Sequence, residues 1–160
     1  MAKVFPGRFT ARLEGSFVVF LIGVRVNRLL VPHKWIPTVA AMPPMLTELY
    51  KQPESGFLGA YTSMYWRGLM VVQYWRSFDH LIAYAKARDA KHLPAWKAFN
   101  QRVGNDGSVG VWHETYQVNA GQSECIYSNM PRWGLARCGS HVPATGHLQD
   151  AQSRMSSPPH

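Results

Sequence analysis

"SGFLGAYTSMYWRGLMVVQYWRSFDHLIAYAKA", residues 55–87, strings two strands and a helix into one run. Residues 55–66 and 69–76 are rich in aromatic and β-branched side chains, as strands are. "RG" at 67–68 reads as the turn of a hairpin. Ser77 then suits a helix N-cap, with Asp79 in the positive first turn. Phe78, Leu81, Ile82 and Ala85 form the apolar stripe of that helix.

Working outward, the same alternation of elements continues on both sides. Before the hairpin, "SFVVFLIGVRV" (16–26) is a strand with two apolar faces, so both faces expect cover. A helical stretch follows from about Lys34, and "PPMLTELYK" (43–51) begins with prolines suited to a first turn. After the hairpin, "LPAWKAFNQR" (93–102) is helical, "NDG" (105–107) breaks it, and "SVGVWHETYQV" (108–118) is the fourth strand. The order is β-α-β-β-α-β: an α+β, ferredoxin-like arrangement, with "SECIYSN" (123–129) as an extra hairpin strand. Residues 1–15 read as an irregular arm and 16–136 as the domain. From 137 to 160 turn formers dominate and little can be buried, so a disordered tail is expected.

The hairpin around 110–131 gathers the groups able to hold or move a proton. Alternation puts Val109, Val111, His113 and Thr115 on one face and Trp112, Glu114 and Tyr116 on the other. "NAG" (119–121) suits a three-residue loop with Gly121 in the left-handed position. That register sets His113 opposite Tyr127 and Tyr116 opposite Glu124. His113 and Glu114 point apart, so they form no dyad. His113 is a candidate base because imidazole titrates near neutrality; the competing reading is a hydrogen-bonded histidine in a sheet or subunit interface. Glu114 is a base or anchor, or else a partner of Arg25 or Arg76. Arg25 leaves the first strand where it could meet a ligand anion. Tyr74, Trp75 and Trp112 are pocket walls or simple core.

Composition narrows the class. The chain has 160 residues with 46% hydrophobic and only 16% charged side chains, enough to bury a core without staples. A net charge of +8 comes from cations spread along the chain, and no RNA-binding aromatic motif stands on the 69–76 strand, so no nucleic-acid partner is expected. The longest apolar run, 17–24, is too short for a bilayer and has no cleavage pattern after it. No membrane partner is expected, and the two unpaired cysteines fit a cytoplasmic protein. The remaining histidines lack partners at ligand spacing, so no metal site is expected.

Taken together, "FLIGVRVNRLLVPHKW" (20–35), "MPPMLTELY" (42–50), "GFLGAY" (56–61), "VVQYWRSFDHLIAYA" (71–85), "VGVWHETYQVNAGQSECIYSNMP" (109–131) and "GLA" (134–136) resemble a monooxygenase-like family once known only as a domain of unknown function. It is labelled after a fungal fumagillin-pathway monooxygenase. The resemblance implies a dimeric α+β barrel, in which two ferredoxin-like subunits form a homodimer, sheet to sheet. It also implies a monooxygenase, cofactor-independent, acting on a small apolar enolisable or phenolic substrate with O₂. The resemblance brings no site residues with it; from the residues themselves, His113, Tyr127 and Glu114 are read as catalytic, and Arg25, Tyr74, Trp75, Trp112 and Tyr116 as substrate-binding. The alternatives are a haem b enzyme of the aldoxime-dehydratase or peroxidase sort with His113 as axial ligand, or a non-catalytic binding dimer.

Overall fold

The computed structural model describes residues 2–87 and 91–156. The elements run β1 (Phe5–Arg12), β2 (Phe17–Val26), α1 (Pro32–Ala40), α2 (Met42–Tyr50), β3 (Phe57–Tyr65), β4 (Gly68–Trp75) and α3 (Phe78–Lys86). Then follow α4 (His92–Arg102), β5 (Val109–Val118), β6 (Tyr127–Met130), β7 (Ser140–Pro143) and α5 (Ala151–Ser156). They divide into two compact units, one from Val19 to Tyr116 and one made of the residues up to Val18 with those from Gln117 on.

The Val19–Tyr116 unit holds the four-stranded sheet β3-β4-β2-β5 and the helices α1 to α4. The β-α-β-β-α-β order and this strand arrangement are the expected α+β, ferredoxin-like fold. β3 and β4 form the expected antiparallel hairpin, with Met64 opposite Leu69 and Tyr65 opposite Gly68. The turn is Trp66–Arg67, one residue earlier than "RG" suggests, and Trp66 takes a positive φ of 33°. Gly68 is needed just after it: a Cβ there would stand 1.7 Å from the Val24 carbonyl oxygen. Ser77 caps α3 as expected, its hydroxyl accepting from the His80 amide at 3.3 Å.

One sheet face packs under helices. Val24, Phe99, Val103 and Val109 form a buried cluster with Trp35 and Val39 against it. Trp75, fully buried, sits 5.4 Å from Phe57 and 5.6 Å from Tyr84, ring to ring, and its indole donates to Gln73 Oε1. The face bearing Gly23 carries Trp112, whose indole lies over Gly23 and donates to Tyr65 Oη. The link between α4 and β5 is held by Asp106, which pairs with Lys34 and accepts from the Ser108 amide at 2.7 Å.

The other unit corrects three expectations. Residues 1–15 are not an irregular arm, because β1 lies inside them and is the middle strand of the sheet β6-β1-β7. β6 does not return along β5 as a hairpin strand. It pairs with β1, placing Tyr127 opposite Phe9. Residues 137–160 are not wholly a disordered tail: β7 pairs with β1 (Ala11 opposite His141), and α5 follows. Residues 157–160 of that expectation lie outside the described residues. Phe9 stacks on His141 at 4.5 Å, and Phe5 meets the same ring edge-on at 4.9 Å. Arg154 of α5 donates from Nε to Glu124 at 2.6 Å and from Nη1 to the Leu148 and Gln149 carbonyls. These pairings link segments far apart in sequence, which local turn signals do not reveal.

Candidate functional site

The helix-covered side of the sheet leaves a cavity of about 150 Å³. Its sheet wall is Ile22 and Val24 of β2 with Val111 of β5. Its α4 wall is His92, Ala95, Trp96 and Phe99, the i, i+3, i+4, i+7 positions of one helix stripe. Thr38, Met42 and Met45 come from the α1–α2 side. Thr38 already donates its hydroxyl to the Lys34 carbonyl at 3.0 Å. His92 is the lining side chain with a buried polar atom that has no hydrogen-bond partner.

Its ring is held from two directions, and one nitrogen is left over. Nε2 lies 2.8 Å from the Ala85 carbonyl oxygen, the Tyr84 ring packs at 4.9 Å, and Nδ1 is buried with no hydrogen-bond partner. A carbonyl oxygen only accepts, so Nε2 carries the proton; in the neutral ring Nδ1 then keeps its lone pair. No side chain of its own caps the start of α4. Glu48 of α2 supplies the missing acceptor, taking the Lys91 amide at 3.1 Å and the Tyr84 hydroxyl at 3.5 Å. Burial, and then the Glu48 charge, push the Tyr84 phenol up to about 12, so it stays a donor.

A second, larger hollow of about 430 Å³ lies between Trp35 and Val39 of α1 and the β3–β4 turn, and is almost wholly apolar. Beside that turn the Arg25 guanidinium stacks on Trp66 at 4.0 Å and donates to Asn27 Oδ1.

The expected site residues are dispersed. His113 is exposed, with its ring 5.6 Å from Phe20, and lines neither hollow. It shares a strand face with Val111 but stands one rung beyond the cavity wall. The expected His113–Tyr127 opposition does not exist, because Tyr127 belongs to the β6-β1-β7 sheet. There burial and the neighbouring Cys125 raise the Tyr127 phenol well above its ordinary range. Tyr116 does not face Glu124 either; its hydroxyl donates to Glu114 at 2.6 Å, and both are exposed. Trp75 is core packing and lines neither hollow, whereas Tyr74 lies 6.5 Å from Tyr61 on the Gly23 side with Trp112. From sequence, His92 reads as structural or solvated and its helix starts at 93, whereas α4 includes it from the first position.

A haem does not fit the expected ligand. His113 lines neither of the two hollows described, and the one beside His92 holds only about 150 Å³. Among the described residues no group of three or more His, Cys, Asp or Glu side chains could hold a metal ion, and no helix is long and apolar enough to cross a membrane.

Comparison with known proteins adds the following. A family model described as Monooxygenase af470-like matches residues 17–135. Monooxygenase af470 of Aspergillus fumigatus is 26% identical over 152 residues, covering 81% of this chain and 53% of that protein. The chain thus spans about half the length of the curated relative it matches. An aldoxime dehydratase crystallised with butyraldoxime superposes with a TM-score of 0.66 over 94% of this chain and 43% of its own, at 13% identity, a likeness of fold alone. SnoaB, a cofactor-independent oxygenase from Streptomyces nogalater, gives a TM-score of 0.46 at 12% identity, over 63% of this chain and 91% of its own.

Proposed function

The chain belongs to the monooxygenase af470-like family, and from that premise we propose that it oxygenates a small apolar, enolisable or phenolic molecule with O₂ and no cofactor. The observation that supports this most is the apolar helix–sheet cavity with one imidazole in its wall. Such chemistry needs a base to form the substrate anion and a dry space in which that anion gives electrons to O₂. One oxygen atom stays on the substrate as a new carbonyl, and the other leaves as water with the two hydrogens removed. A homodimer is part of the same proposal, as the family resemblance implies.

The base first expected, His113, is an exposed side chain outside the cavity lining. A general base must reach the proton it takes, directly or through one water. His113→Ala is therefore expected to lower turnover less than tenfold. The test is oxygen uptake by the purified protein over a panel of phenols and 1,3-diketones, with the visible spectrum recorded alongside. Uptake without a Soret band is the expected result. Uptake that appears only after haemin is added would transfer the chemistry to haem.

A further inference from the structure

Four side-chain nitrogen or oxygen atoms among the described residues are buried without a hydrogen-bond partner: Arg25 Nε, His92 Nδ1, Ser108 Oγ and His141 Nε2. Of these residues His92 is the one that lines either of the two hollows described. A buried polar atom without a partner costs on the order of 1–3 kcal/mol, so a bound group that supplies the missing proton donor has something to gain. The Ala85 carbonyl fixes Nε2 as the donor, which makes the vacant nitrogen an acceptor. The rest of the cavity wall is mostly apolar, with Phe99, Val111 and Met45, and the Trp96 indole is a donor that cannot replace His92 as an acceptor.

We propose that His92 Nδ1 is the recognition point of this cavity: it accepts the hydroxyl of a phenolic or enolic ligand whose apolar body lies between α4 and the sheet. The inference rests on the oxygenase reading for its consequence in turnover, where the ligand O–H bond breaks, the proton passes to Nδ1 and the electron pair stays on the oxygen as phenolate or enolate. It does not rest on that reading for binding. Glu48 acts as a positioning residue, because its carboxylate holds the Lys91 amide and the Tyr84 hydroxyl on either side of His92.

The probes are 4-methylphenol and toluene, which differ by one hydroxyl. The full-length protein is expected to bind 4-methylphenol roughly three- to tenfold more tightly, the size of one net hydrogen bond. The His92 Nδ1 resonance in nitrogen-15 spectra should move with 4-methylphenol and stay in place with toluene. His92→Phe should bind the two compounds equally. Equal affinities in the unaltered protein, no binding of either compound, or an unmoved Nδ1 resonance would each overturn the proposal. The resonance experiment needs no variant, so a folding defect in His92→Phe leaves the test intact. A clear preference for 4-methylphenol with no oxygen uptake from any substrate would uphold His92 as the recognition point and reject the oxygenase reading.

Discussion

Gly23 shows how much one absent side chain decides. A Cβ at that position would stand 2.5 Å from Trp112 Nε1, so only glycine lets the indole lie across the strand and reach Tyr65. Gly23→Ala is expected to expel the indole and cost roughly 1–3 kcal/mol, as overpacked cores do. A urea midpoint equal to that of the unaltered protein would mean the indole has room to move aside. At the same scale, His92 and His113 could not be ranked from sequence. Both are imidazoles near apolar neighbours, and the side-chain chemistry that made His113 the candidate base belongs to His92 as well. The difference is made by Ala85 and Glu48, whose contacts with His92 and Lys91 depend on how α2, α3 and α4 pack.

Among the elements, those with strong local signals were readable. The β3–β4 hairpin, the Ser77 cap and the helix breaks all stand where residue type alone puts them, to within a residue or two. β6 was misplaced because "NAG" announces a loop but not the partner of the strand after it, and β1 was missed because its two neighbours come from more than 110 residues away. The β6-β1-β7 sheet carries its own pH dependence. Burial, and then the Arg132 charge, lower the affinity of His141 for its proton below the ordinary histidine value of 6.5. The unfolded chain therefore binds that proton more readily than the folded one. The stability from His141 is full above about 6.5 and is lost as pH falls through the lower folded value. The melting temperature should drop more between pH 7 and pH 5 in the unaltered protein than in His141→Phe. Equal drops would remove His141 as the cause.

For the whole molecule, residue pattern reached the α+β class and the β-α-β-β-α-β order, and the resemblance of ordered motifs to a known family reached the family. Neither reached the cavity, which is the space left between three helices and a sheet after packing. The oxygenase account requires that space to be open. Ala95→Phe, on the α4 wall, fills it while leaving His92 itself in the sequence. The most direct measurement is oxygen uptake with a substrate found active on the unaltered protein, compared with Ala95→Phe of confirmed fold. The account predicts that uptake falls by at least tenfold in the filled protein. Undiminished uptake would place the chemistry somewhere other than this cavity.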